Sequence, residues 1–295
     1  MNLSLSRSFP IAKAALAAAV IACVVALTCS LVGCASGGTG SSSADADNTS
    51  ASTDGKTLRV AMELAYPPFE TKDDAGNPEG LAVDFIRDFG AAYGYDVQIE
   101  NTAWDGLIPS LQSDKADLVI SSMTITDERK QSVDFSDAYA MAQLAILANA
   151  DSGVASIDDL NQPGKKVAVK TGSTGDVYAT KNLTNAEIVR LADESACVTE
   201  VVQDKADGFL YDQLTIYRNH QANPDTTEAV FIPFQDAEEW GIAVKKGNTE
   251  LLDQLNAFIA QSKTDGEFDR LTEKYLADEK KAFDQYGFKW FFDFE

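Results

Sequence analysis

The chain has 295 residues, enough for two modest lobes each with its own core, and 24 basic against 46 acidic residues give it a formal net charge of −22. On charge alone this excludes nucleic acid and anionic lipid surfaces as partners, so any anion that the chain binds must be held by a local basic site against the global field. Cys197 is the one cysteine beyond residue 34 and His220 the one histidine, which leaves the body no internal disulfide, no cysteine metal site and no Ser/His/Asp constellation.

The first 33 residues read as an export signal: Arg7 and Lys13 lead into the apolar run 14–27, and Leu31-Val32-Gly33-Cys34 is followed by small residues. The run is short for a membrane span. Two basic residues and no acid leave with this segment, so the remaining 22 basic and 46 acidic residues carry −24. Residues 35–56 are almost only Ser, Gly, Ala, Thr, Asp and Asn. They can fill no core and form a flexible tether with a coil dimension of roughly 25 Å. No second apolar run long enough to span a membrane follows.

From residue 58 short apolar strands alternate with amphipathic helices: strand 58–62, helix 81–93, strand 96–100, helix 107–112 and strand 118–121. That alternation predicts an α/β body with mostly parallel strands. The last of these strands ends in Ser121, Ser122 and Thr124, and a new helix starts at Thr126 with acids in its first turn and Arg129 at its third position. Backbone N–H groups, hydroxyls and a guanidinium therefore converge at the carboxyl end of one strand, the place where open α/β sheets bind ligands, and form a clamp for a small carboxylate.

A second set follows: helix 157–160, strand 166–170, loop 171–175, helix 176–181, strand 188–191, helix 195–203 and strand 208–211. The loop lacks the Lys-Ser/Thr of a P-loop, which excludes nucleotide binding there. Through 240–244 the chain returns into helices 250–262 and 266–275. Extended segments near 139–147 and 232–244 join the two sets, so the pattern predicts two lobes and a cleft that the chain crosses twice. Cys197 reads as a small buried apolar residue and His220 as solvent-exposed. Beyond Leu276 the tail is rich in aromatic residues, including Phe283, Trp290, Phe291 and Phe292. Packing along a lobe and forming a partner surface both remain open for it.

In order and spacing these segments resemble the family 3 extracellular solute-binding proteins, which deliver polar amino acids to ABC importers. The likeness runs over 58–276 and rests on Ala65-Tyr66-Pro67-Pro68-Phe69, residues 80–85, Trp104-Asp105-Gly106-Leu107-Ile108-Pro109, residues 122–129, Val133-Asp134-Phe135-Ser136, residues 206–212 and residues 241–248. It implies an α/β, two-lobed type II periplasmic-binding-protein fold with the ligand cleft between the lobes. Residues 57–141 would form the first part of lobe 1, 142–234 lobe 2, and 235–295 the return to lobe 1 with the tail.

The resemblance further implies that Arg129 grips a ligand α-carboxylate, which suits its two-pronged donor geometry. Thr124 and Ser122 would add backbone N–H and hydroxyl bonds, and Thr174 a second carboxylate contact from the other lobe. Asp212 would pair with the ligand ammonium, although it also fits an N-cap before helix 213–217. Tyr66 and Trp104 would wall the ligand side chain, and Phe69 belongs to the core. Glu63 stands where many relatives place an acid facing the side-chain end, which favours a basic amino acid, glutamine or a cystine-like amino acid; it fits a strand-end surface acid nearly as well. Ser122 replaces a glycine common in the family and resembles the basic-amino-acid binders, while Ala82 and Ala138 stand where an acid and a proline are common.

Leu31-Val32-Gly33-Cys34 resembles a lipobox, implying a signal peptide 1–33, a lipid on the Cys34 sulfur and a tether 34–56. The expected protein is exported, anchored by that lipid to the outer face of the bacterial cell membrane or its periplasmic side, and monomeric. It would bind one amino acid by hinge closure, without metal or cofactor, and pass it to the membrane permease of an ABC importer. The alternative is an enzyme of the same fold, a cyclohexadienyl-type dehydratase, for which the sequence offers no constellation around His220.

Overall fold

The computed structural model describes residues 56–286 and 289–294, so the leader, Cys34, residues 35–55 of the tether and Phe288 lie outside the described residues. The chain begins with strand β1 (Lys56–Met62), the small hairpin β2 (Thr71–Lys72) and β3 (Pro78–Glu79), helix α1 (Leu81–Tyr93) and β4 (Tyr95–Asn101). A 3-10 turn (Trp104–Gly106) leads into α2 (Leu107–Gln112), β5 (Leu118–Val119), α3 (Asp127–Lys130) and β6 (Val133–Phe135). After β7 (Ala140–Ala142) come β8 (Leu144–Asn149), α4 (Ile157–Leu160), β9 (Lys166–Lys170), α5 (Thr174–Asn182) and β10 (Glu187–Leu191). Then follow α6 (Glu194–Val202), β11 (Gly208–Asp212), α7 (Gln213–Ala222) and β12 (Thr227–Val230). The chain closes with β13 (Glu238–Trp240), β14 (Ala243–Lys245), α8 (Thr249–Ser262), α9 (Glu267–Tyr275) and α10 (Ala277–Tyr286).

Two five-stranded sheets form the two lobes, in the orders β4-β1-β5-β14-β6 and β10-β9-β11-β8-β12. Each is mixed rather than mostly parallel. In the first, β1 runs parallel to β4 and β5 while β14 is antiparallel to β5 and β6; in the second, β9 is parallel to β10 and β11 while β8 is antiparallel to β11 and β12. The antiparallel strands β8 and β14 are those that enter each lobe from the other. The two crossing segments β7 and β13 pair with each other, Ala142 against Glu238 and Ala140 against Trp240.

The strands read as apolar runs because both faces of each sheet are covered. On β9, Val167 and Val169 join one core cluster and Ala168 another on the opposite face. On β1, Leu58, Val60 and Met62 face the large core of lobe 1 while Ala61 faces a smaller one. Helix α1 places Leu81, Phe85, Ile86 and Phe89 on one fully buried face, each side chain worth roughly 1.5–3 kcal/mol of burial. It ends where Gly94 takes the left-handed conformation at φ 73°. Cys197 is buried, which pushes its thiol up to about 12. His220 is half-buried with Nδ1 3.3 Å from Thr227 Oγ1, a correction to its expected full exposure: the last turn of α7 lays it against β12. Among the described residues no helix is long and apolar enough to cross a membrane.

The aromatic tail packs along lobe 1. Phe283, Trp290 and Phe291 are buried, and the Phe291 ring lies 5.1 Å from Phe69 and 5.5 Å from Trp240. The Phe291 carbonyl accepts from Met141 N at 2.7 Å, which ties the tail to the crossing strand β7. Arg218 of α7 reaches back across the lobes, donating to the Pro67 carbonyl at 2.7 Å and lying 3.8 Å from Glu279 of α10. Phe291→Ala is expected to lower the unfolding free energy by about 3 kcal/mol, as large-to-small changes of a buried aromatic do; urea denaturation of the two chains checks it.

Candidate functional site

At the end of β5 Ser122 sits in the left-handed region at φ 47°, a conformation that suits glycine and costs a residue with a Cβ roughly 1–2 kcal/mol. Its hydroxyl donates to Glu70 at 2.8 Å. Beyond it, Gly241 N donates to Met123 O and Ile125 N to Glu239 O, so Thr124 forms the non-hydrogen-bonded position of a short antiparallel pair and its own N–H and C=O turn to the opposite side. There the Thr124 carbonyl accepts from Arg129 Nη1 at 2.7 Å. Thr126 caps α3 by accepting from Arg129 N at 3.2 Å, which fixes where the arginine starts. Its guanidinium lies 5.2 Å from the Trp104 ring and donates to the Gly172 carbonyl of the other lobe at 3.2 Å. Burial lowers the Arg129 pKa, and the nearby charge of Glu238 works against that.

The second lobe answers with the first turn of α5. Ser173 caps it by accepting from Asp176 N at 3.2 Å. Gly175 is required behind the cap, since a Cβ there would lie 2.5 Å from the Leu210 carbonyl oxygen; its absence lets α5 settle on β11 and turns Thr174 to the cleft. The hydroxyls of Thr124 and Thr174, one from each lobe, both donate to Glu238 Oε2, at 3.0 and 2.7 Å.

Asp212 joins two roles that the sequence set against each other. Its Oδ1 caps α7, accepting from Leu214 N at 2.9 Å and Thr215 N at 3.1 Å. Its Oδ2 is buried with no hydrogen-bond partner and faces the same cavity, as is the Tyr66 hydroxyl beside it. The phenol is the nearest polar neighbour of that carboxylate: burial and the Asp212 charge raise the Tyr66 pKa, and the Tyr66 hydroxyl in turn works to lower that of Asp212. Burial raises the Asp212 carboxyl above the ordinary range, which is the environment in which an arriving cation gains most.

At the far end Lys170, 2% exposed, is ion-paired with Glu63 of the other lobe and with Glu194 at 3.0 Å, its ammonium 5.2 Å from the Trp104 ring. Burial works against the Lys170 charge, yet Glu194 and Glu63 hold its pKa above the ordinary lysine value. Burial raises Glu194, which shares one cation with a second acid.

All eight residues singled out in the sequence border this one cavity: Glu63, Tyr66, Trp104, Ser122, Thr124, Arg129, Thr174 and Asp212. Two stand differently from the expectation. Ser122 turns its hydroxyl away from the cleft to Glu70 because that carboxyl is fully buried without any other side-chain partner. Glu63 is neither a free acid for a ligand nor a surface acid, since Lys170 reaches it across the cleft. Sequence reasoning passed over Lys170, Glu194 and Glu238. Only Lys170 carries a signal, as a lysine at the carboxyl end of an apolar strand; Glu194 and Glu238 sit in polar segments where nothing distinguishes them from surface acids. Among the described residues no group of three or more His, Cys, Asp or Glu is placed to hold a metal ion.

Burial raises Glu70 well above the ordinary 4.5, and the Ser122 bond opposes this only in part. Above pH 4.5 the unfolded chain has lost this proton while the folded chain keeps it, so the contribution of Glu70 to stability falls as pH rises toward its folded value. Glu70→Gln keeps an acceptor for Ser122 and removes the titration. The stability of the variant relative to the parent is therefore expected to grow by about 1.4 kcal/mol per pH unit above 4.5 until Glu70 ionises in the folded chain; urea denaturation between pH 5 and 8 checks it, and a constant difference would refute it.

Comparison with known proteins places the chain in a family. The model of the bacterial extracellular solute-binding proteins, family 3, matches residues 58–278. The chain is similar to the L-arginine-binding protein of Pseudomonas aeruginosa, 33% identical over 253 residues that cover 79% of this chain and 90% of that protein. It is similar also to the L-cystine-binding protein TcyJ of Escherichia coli (strain K12), 32% identical over 222 residues covering 75% and 82%. A solved structure of an ancestral arginine-binding protein bound to glutamine is 36% identical, with a TM-score of 0.69, over 75% of this chain and 98% of that one. The chain thus belongs to the family 3 bacterial extracellular solute-binding proteins.

Proposed function

We propose that this protein is the substrate-binding lipoprotein of an ABC amino-acid importer, which captures a polar or cationic L-amino acid by hinge closure and delivers it to the membrane permease. The observation that carries the reading is the donor set of Arg129, Thr124 and Thr174, drawn from both lobes, set against the unpartnered buried oxygen of Asp212. A carboxylate and an ammonium on one carbon satisfy both at once. The named relatives support it, since they bind arginine and cystine. They support binding over the dehydratase alternative as well.

The side-chain end narrows the ligand. Lys170 donates, while Glu63 and Glu194 accept. A side chain whose tip both accepts and donates fits best: the amide of glutamine, or the second amino-carboxylate of a cystine-like amino acid. A purely cationic tip gains the two acids only by displacing Lys170. The ancestral arginine-binding protein solved with glutamine supports a shared pocket for both kinds. Export by the leader, a lipid on Cys34 and a monomeric body complete the reading, the tether letting the closed body reach a permease in the same membrane.

Titration calorimetry with all twenty amino acids, ornithine and cystine tests it, and no binding by any of them would sink it. Arg129→Ala is expected to weaken the preferred ligand about 100-fold, the loss of two charge-assisted bonds. Lys170→Met is expected to move the preference from glutamine or cystine toward arginine and lysine by about 10-fold or more, one like-charge contact in a partly dry site; an unchanged order of ligands would count against the side-chain assignment.

A further inference from the structure

The carboxylate slot of this chain is filled by the chain itself. Glu238 lies on β13, one of the two strands that connect the lobes. Its Oε2 takes the hydroxyl of Thr124 from lobe 1 and that of Thr174 from lobe 2, and its Oε1 takes Gln235 Nε2 at 2.6 Å. Its charge acts on the Arg129 guanidinium. Thr124 and Thr174, with Arg129 beside them, are the groups assigned above to a ligand α-carboxylate.

The neighbouring ammonium seat is in the opposite condition: among the described residues Asp212 Oδ2 accepts no hydrogen bond of good geometry, and its close polar neighbour is the Tyr66 hydroxyl. A ligand and the Glu238 carboxylate cannot hold Thr124 and Thr174 together.

We propose that Glu238 is an internal surrogate for the ligand α-carboxylate, a tethered competitor that clasps the two lobes together and that the incoming amino acid must displace. The proposal rests on the reading of the Arg129, Thr124 and Thr174 set as the carboxylate seat. A carboxylate fixed to a strand of the cleft is present at an effective concentration far above that of free ligand. The apparent affinity is then the intrinsic affinity reduced by the fraction of molecules in which the seat is free. A surrogate that occupies its seat 90–99% of the time weakens the ligand about 10- to 100-fold. Displacement also breaks the Thr124–Glu238–Thr174 bridge between the lobes, so the ligand inherits the closing role that Glu238 performs alone.

The test uses the full chain with Glu238→Ala and, as the shape-conserving variant, Glu238→Gln, each checked for native circular dichroism. Calorimetric titration with L-glutamine, L-arginine, L-histidine and L-cystine is expected to give Glu238→Ala an affinity at least 10-fold tighter than the parent for whichever of them binds. Glu238→Gln, which keeps an acceptor for the threonines but loses the charge facing Arg129, is expected to fall between. An unchanged or weaker affinity in Glu238→Ala overturns the surrogate while leaving the amino-acid reading intact, because the parent still binds. Small-angle scattering of the ligand-free chains decides the matter independently of any ligand. A larger radius of gyration in Glu238→Ala than in the parent supports the clasp even if none of the four amino acids binds, and equal radii in that case overturn it.

Discussion

Two strands of three residues each, β7 and β13, hydrogen-bonded to each other, carry the chain between the lobes. The rest of the architecture follows from that antiparallel pair. A strand leaving the pair enters its lobe against the direction of the parallel β-α-β strands already there, which is why β8 and β14 are the antiparallel members of their sheets. Because the pair is short and lies at the cleft floor, the groups on it serve both lobes. Trp240 packs against Phe69 and Tyr66 of lobe 1, while Glu238 beside it bonds to both. The tail reinforces the same pair from behind through the Phe291 carbonyl and Met141 N.

Electrostatics set the second constraint. In a chain of net charge −22, Arg129 and Lys170 are concentrated around one tryptophan in the cleft. Each cation is paired or bonded across the lobes: Arg129 to a lobe 2 carbonyl, Lys170 to a lobe 1 carboxylate. A buried pair of this kind adds little net stability, because desolvation offsets the attraction, but it specifies which surfaces meet. The two lobes therefore meet through interactions that are strong in orientation and weak in net free energy.

Much of this was legible in the amino-acid order. Periodicity placed α1 and β9 within a residue at each end, because an amphipathic helix capped by Gly94 and a Val-rich strand buried on both faces are local patterns. Small hydroxylated residues after a strand, with an arginine in the next helical turn, pointed to Thr124 and Arg129, which border one cavity, while the Ser122 hydroxyl went to Glu70 instead. Strand direction was not legible, since it is decided by which lobe a strand enters from. Nor were the partners within the site. That Glu63 meets Lys170, 107 residues away, or that Thr124 meets Glu238, 114 residues away, depends on how two separately folded lobes face each other. The Asp212 choice between cap and ligand acid could not be decided locally either, for one oxygen serves the cap and the other faces the cleft.

Ser122 and Glu70 are bound to each other in their energetics. The serine pays for its left-handed backbone by giving the buried Glu70 carboxyl its side-chain bond. Replacing the serine with glycine alone relaxes the backbone but strands a carboxyl in the interior; replacing the glutamate with an apolar residue alone strands the hydroxyl and keeps the strain. Each single step exchanges one cost for another, while the double exchange arrives at a relaxed backbone over an apolar interior. The energies of the two positions are therefore coupled, and a change at one is felt at the other.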